Sequence, residues 1–233
     1  MLGVLVNAVA VLIGSALGLL FHRSIPEKIS SEIMKAIGLC TFFIGVQGAF
    51  KSENILVAIV SMVVGTAIGT GLDLDGRING LAGKVEQKVQ KNSNGQSGAF
   101  TQGLVTAFLL WCVGSMTIVG SLQAGIAHDY SMLYTKSLLD LISSAMLASS
   151  LGVGVIFATV PLIVFQGGLV LLSGLLEPIL TASMINEIIC VGSLSIIALG
   201  FNLLGIAKLK VANFLPAMLA APFACLLIGL LGV

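Results

Sequence analysis

Charge is what this chain has least of. Eleven Lys and Arg and ten Asp and Glu are spread over 233 residues, 9% of the sequence. A soluble domain carries about 25% charged residues, so these side chains cannot give a globule of this size a water-facing surface. The net charge of +1 leaves no basic field for a nucleic acid. Histidine is nearly absent, with His22 and His128 alone, and no His-Glu-x-x-His zinc signature occurs. A Gly-x-Ser-x-Gly nucleophile elbow and a Gly-rich phosphate loop with a Lys are also missing. Asp73, Asp75 and Gly76 open like a calcium loop. Arg77 and Ile78 then fall at the fifth and sixth positions, where a ligand and a Gly are required. The four cysteines, Cys40, Cys112, Cys190 and Cys225, lie in apolar segments at no metal-ligand spacing and read as small buried hydrophobes. The expectation is a protein that is not an enzyme, with no cofactor and no metal.

What is present is apolar: 57% of residues are hydrophobic, and 28 are Gly. Gly in such number suits close helix packing in lipid. A spanning helix needs about 20 mostly apolar residues. Eight candidates follow, at 1–21, 33–50, 55–72, 103–124, 138–151, 155–176, 187–205 and 211–232. No basic region precedes the first and no cleavage pattern follows it, so it reads as a span and not as a signal peptide. Gly152 and Gly154 supply the turn that divides 138–176 into two spans, and Pro161 kinks the second. The chain is thus expected to be all-α, one polytopic transmembrane domain over 1–233 in contact with the lipid bilayer.

The basic residues orient it. Eight spans put every Lys and Arg except Lys51 and Lys136 on one side, nine against two; seven spans would give seven against four. Lys and Arg concentrate in cytoplasmic loops. Eight spans with both termini outside are therefore expected. The longest hydrophilic stretch, 73–98, is then cytoplasmic. In it Ile78, Leu81, Val85 and Val89 recur at helical spacing opposite Lys84, Glu86, Lys88 and Lys91, as in an amphipathic helix on the inner leaflet. Residues 92–98 read as a flexible linker.

Two stretches resemble each other. Glu32 aligns with Glu187, Gly45 with Gly200, and Gln47 with Asn202, all at an offset of 155; Gly69 meets Gly229 after five inserted residues. Spans 1–3 would then correspond to spans 6–8. One set starts on an odd span and the other on an even one, so the repeat would be inverted, as in many secondary transporters.

Ionisable and polar groups inside hydrocarbon are expensive and point to function. Ser115, Thr117 and Gln123 lie in a polar, Gly-punctuated end of span 4, beside Gly114, Gly120 and Ser121. Such a segment can unwind where it lines a cavity. Lys136 and Asp140 are four residues apart on one helical face, where they can pair. Their bland alternative is a structural salt bridge at a membrane boundary. Asn7, Gln47, Gln166, Asn202 and Asn213 are carboxamides within or beside spans, where bonds between helices are the usual role. Gln47 and Asn202 gain weight from the repeat. Gly14 with Gly18 and Gly65 with Gly69 are small-xxx-small packing seams, which could also serve a homo-oligomer.

Several stretches carry a family resemblance: Cys112 to Gly125 (CVGSMTIVGSLQAG), Thr135 to Asp140 (TKSLLD), Ala148 to Val155 (ASSLGVGV), Gln166 to Gly168 (QGG) and Leu199 to Ala217. Through them the whole chain resembles the bacterial membrane-protein family called domain of unknown function 554. The resemblance implies a bacterial inner-membrane location and no established activity. Near Ala124 that family often carries an acidic residue, so a cation-binding role does not transfer to this position. The leading expectation is passage of a small solute or ion, with Gln47, Ser115, Thr117, Gln123, Lys136, Asp140, Gln166 and Asn202 along the path. The second is a membrane scaffold that binds a protein partner through 73–98, and the third a lipid-processing enzyme.

Overall fold

The computed structural model describes residues 1–22, 27–89, 99–112 and 115–230. Arg23, Lys91, Gly114 and the expected linker 92–98 lie outside them. Among the described residues there are helices and no strands. They are α1 (Leu2–His22), α2 (Glu27–Ala49), α3 (Ile55–Gly71), α4 (Leu74–Val89), α5 (Ala99–Cys112), α6 (Ser115–Ile126), α7 (Ser131–Leu151), α8 (Gly154–Phe157), α9 (Thr159–Leu176), α10 (Ala182–Leu203) and α11 (Leu215–Leu230). A 3-10 turn, Val211–Phe214, leads into α11.

Among the described residues, five stretches are long and apolar enough to cross a membrane: Leu2–Leu20, Ser31–Ala49, Gly154–Leu176, Ala182–Leu203 and Val211–Leu230. The number rises to seven if each of two bent pairs is one span. One is α3 with the start of α4, bent by 50°; the other is α5 with α6, bent by 59°. Eight were expected, and the shortfall is α7. It has the length, 21 residues. Six Ser, Lys136 and Asp140 make it too polar to qualify by composition.

Burial follows helical periodicity. On α1, Val4, Asn7, Ala8, Val11 and Ser15 are buried, while Leu5, Val9, Leu12 and Leu20 are exposed. A soluble protein would place polar side chains on that outer stripe. Here it is aliphatic, which suits lipid tails.

Glycine lets the helices meet. A Cβ at Gly14 would land on the Leu141 carbonyl and the Ser144 hydroxyl, and one at Gly18 on the Ala145 carbonyl. Near the other end, Gly3 faces Leu133. The order of these contacts makes α1 and α7 parallel. Gly65 meets Ala217 and Gly69 meets Asn213, so α3 and α11 are antiparallel. Both expected seams are therefore used inside the chain, against α7 and α11. Gly38 meets Leu203, Gly45 meets Ile197, and Gly48 meets Ser193, so α2 and α10 are antiparallel too. Gly14→Leu should thus lower the thermal midpoint of purified protein sharply, because overpacking against backbone has no flexible neighbour to yield; about 1–3 kcal/mol is the usual cost. Gly174 has open space around it, and Gly174→Ala should be neutral or stabilising. Equal effects of the two would refute the seam.

The turn after α7 is as expected. Gly152 adopts φ 75° and its N–H bonds the Ala148 carbonyl, ending the helix. The chain then re-enters as α8 and α9, with the break just ahead of Pro161, whose missing N–H suits a first helical turn. The hydrophilic stretch does form a helix, α4. Asn213 Oδ1 accepts from the Asp75 N–H at its start (2.9 Å), and Ile78 packs onto the core while Lys84 is exposed.

Candidate functional site

A buried polar cluster lies where α1, α7 and α9 meet. The Lys136 ammonium donates to Asp140 Oδ2. Asn7 Nδ2 donates to the same oxygen (3.0 Å) and to Gln166 Oε1 (3.1 Å). Lys136 is 5% exposed, Asp140 6%, and Asn7 and Gln166 are fully buried. The close packing of α1 on α7, through Gly14 and Gly18, brings Asn7 to the ion pair. Gln166 sits midway along the Gly154–Leu176 stretch. Asp140 is nine residues into α7, about 14 Å from its start at 1.5 Å per residue. The pair is thus well inside the bundle, because α7 begins at Ser131 and not at the expected boundary near 138.

Two atoms of the cluster have no partner: Asn7 Oδ1 and Gln166 Nε2. An unpaired buried amide atom costs about 1–3 kcal/mol. Ser121 Oγ on α6 is likewise buried and unpartnered.

Beside the cluster stands the broken helix α5–α6. Thr117 is buried, and its hydroxyl donates to the Trp111 carbonyl (2.6 Å), satisfying a group that the break leaves free. Trp111 Nε1 donates to Ser143 Oγ on α7 (3.1 Å). Cys112 is fully buried within electrostatic reach of Lys136 and Asp140. Residues 115–126, where unwinding was expected, are helical. Backbone exposed to hydrocarbon without partners is too costly to persist.

Other expected residues lie elsewhere. Gln123 is exposed on α6, and Gln47 is exposed near the C-terminal end of α2. Asn202 clasps the turn after α10: its Nδ2 donates to the Leu209 carbonyl (2.7 Å) and its Oδ1 accepts from the Leu209 N–H (2.8 Å). It lines a polar cavity of about 600 Å³ with Asp75, Asn79, Gln102, Lys208 and Lys210. The repeat aligns Gln47 with Asn202. Each is near the C-terminal end of its helix, and α2 and α10 are antiparallel, so they lie toward opposite ends of the bundle. A two-fold axis across the helices carries one end to the other. His128 and Asp129 are exposed. The Ser131 backbone N–H holds the Asp129 carboxyl below its usual range (2.9 Å).

One buried group was not expected. Glu187, fully buried at the start of α10, accepts from the Glu53 N–H (2.7 Å), the Asn54 N–H (2.9 Å) and the Ser52 hydroxyl (3.0 Å). It binds the turn ahead of α3. Among the described residues, no three His, Cys, Asp or Glu side chains cluster as metal ligands.

The chain is 32% identical over its full length to the uncharacterized membrane protein YdfK of Bacillus subtilis (strain 168), covering 99% of it. It is 31% identical to the uncharacterized protein YqgA of Escherichia coli (strain K12) over 94% of each chain. No solved structure matches it. A family profile described as protein of unknown function (DUF554) matches residues 2–226. With a profile match over nearly its whole length, this chain belongs to the DUF554 family of membrane proteins, as its sequence motifs indicated.

Proposed function

We propose that this protein passes a small solute or ion across the bacterial inner membrane without converting it chemically. The observation that carries the reading is the Asn7–Asp140–Lys136–Gln166 cluster. It is a charged pair far inside an apolar bundle, with an unpaired acceptor and an unpaired donor beside a broken helix. Ionisable residues at membrane depth mark solute and proton paths.

The reading includes eight spans. α7 lies parallel to the apolar α1 from Gly3 against Leu133 to Gly18 against Ala145, and a helix so aligned crosses the bilayer with its neighbour. The reading also includes the inverted repeat. Gly45 meets Ile197, and Gly200 meets Phe42. Phe42 and Ile197 differ by 155, as Gly45 and Gly200 do. The two contacts follow from the antiparallel packing of α2 on α10, an arrangement that a two-fold relation allows. Antiparallel α2/α10 and α3/α11 fit an axis in the membrane plane.

The direct experiment is a flux screen of the purified protein in liposomes against small ions and neutral solutes. The expected result is passage above empty liposomes that Lys136→Met removes. A folded protein that passes none of them would overturn the reading. Orientation is checked with Lys84→Cys in a background lacking the four native cysteines. An impermeant thiol reagent added to intact cells should leave it unlabelled; labelling would put α4 outside.

A further inference from the structure

The polar cavity at the end of α10 is separate from the Lys136 cluster. Asp75 and Asn79 on α4, Gln102 on α5, and Asn202 on α10 line it, with Lys208 and Lys210 from the segment that follows α10. The buried Val105 and Leu199 line it as well. At about 600 Å³ it has room for a small-molecule group.

Carboxamides hold these walls in place. Asn202 grips the Leu209 backbone through both its N–H (2.8 Å) and its carbonyl (2.7 Å), and Leu209 is the residue between the two lysines. Asn213, itself buried, accepts from the Asp75 N–H (2.9 Å) and ties the start of α4 to the turn after Lys210. The fold thus sets where both lysines stand.

Their charge is not balanced. Two ammoniums line the cavity against one carboxylate, and Asp75 Oδ2 already accepts from Asn79 Nδ2 (2.9 Å). Among the described residues neither Lys208 nor Lys210 has an ion-pair partner. Such a cleft attracts an anion. The Gln102 amide adds N–H donors. The place narrows the choice of anion. Ala182–Leu203 and Val211–Leu230 are both long and apolar enough to cross a membrane, and one ends and the other begins at this cavity. It therefore stands at the level of the lipid headgroups, where basic pockets take up headgroup phosphates.

We propose that this cavity binds a phosphate group, with Lys208 and Lys210 as its counter-charges and the Gln102 amide as a hydrogen-bond donor. Lysine serves phosphate as a point charge and needs no planar fork. An anionic phospholipid of the facing leaflet or a soluble phosphate ester can supply the group, and Val105 and Leu199 suit the glycerol carbons of either. The site is independent of the transport reading, which stands whether or not phosphate binds here.

The test uses the purified full-length protein in detergent. The probes are phosphatidylglycerol and phosphatidylcholine added to the micelles, and glycerol phosphate and inorganic phosphate without lipid. A phosphate-bearing anion that binds should raise the thermal midpoint saturably and slow hydrogen exchange over residues 207–212. A response to phosphatidylglycerol alone assigns the site to a lipid; a response to glycerol phosphate or inorganic phosphate without lipid assigns it to a soluble source. Lys208→Gln with Lys210→Gln should weaken the affinity about fivefold for each lysine removed. Both side chains are exposed, so the midpoint without probe should hardly change. Lys35→Gln with Lys84→Gln removes as much charge from exposed lysines elsewhere and should leave the affinity unchanged. Asp75→Asn removes the opposing carboxylate and should tighten binding; a cation site would respond in the opposite sense. No saturable response to any probe, an equal response to phosphatidylcholine, equal losses in the two double variants, or weaker binding in Asp75→Asn would each overturn the proposal.

Discussion

Asp140→Leu alone should destabilise the protein by about 3–5 kcal/mol, because it leaves the Lys136 ammonium buried without a counter-charge. Adding Lys136→Met should return most of that loss, since a buried pair replaced by apolar side chains is often neutral or better. The measurement is the thermal midpoint of purified protein in detergent for the wild type, both single variants and the double. A double variant as unstable as the sum of the singles would show that the two charges do not depend on each other. Asn7→Leu should fall between, because it strips one hydrogen bond each from Asp140 and Gln166. The same variants divide the structural role from the functional one. If the pair lies on the path, the double variant regains stability and stays inactive in liposomes. A stable double variant with wild-type flux would leave the pair as glue and move the weight to the scaffold reading.

Glu187→Ala should be the other severe substitution. It removes an acceptor used by two backbone N–H groups and a hydroxyl at the turn ahead of α3. Hydrogen bonds to a charged group contribute about 1.5–3 kcal/mol each. The loss should be several kcal/mol and should loosen α3 at that end. Glu187→Gln keeps the Oε1 acceptor for both N–H groups and should cost distinctly less. Thermal midpoints rank the two. Hydrogen exchange at Glu53 and Asn54 should rise in Glu187→Ala and little in Glu187→Gln. Equal midpoints for the two variants, or unchanged exchange in the first, would show that this carboxylate does not hold the turn.

How much of this was legible beforehand can be traced residue by residue. Lys136 and Asp140 were readable as a pair because a four-residue spacing on one helix is local and survives any tertiary arrangement. Gly14 and Gly65 were readable as seams for the same reason. Their partners on α7 and α11 were not, because nothing in a Gly records which helix approaches it. Asn7 shows the limit best. Alone it is one of several carboxamides with a bland role, and only α1 lying along α7 makes it a ligand of Asp140. Glu187 was visible merely as an aligned residue, since the N–H groups it binds are more than 130 positions away. Gln47 and Asn202 show the same limit. Their shared offset was legible along the chain, but that they lie toward opposite ends of the bundle follows only from the antiparallel packing of α2 and α10.

The sequence by itself determined the solvent, the helical class and the family, because these follow from average composition, from apolar run length and from motifs read along the chain. Twenty-one charged side chains in 233 residues decide the solvent before any fold is known. The tertiary structure alone decided which polar groups meet and which atoms remain without partners. Hydrogen bonds are made between neighbours in space, and in a bundle whose longest helices run about 30 Å those neighbours come from distant turns of different helices.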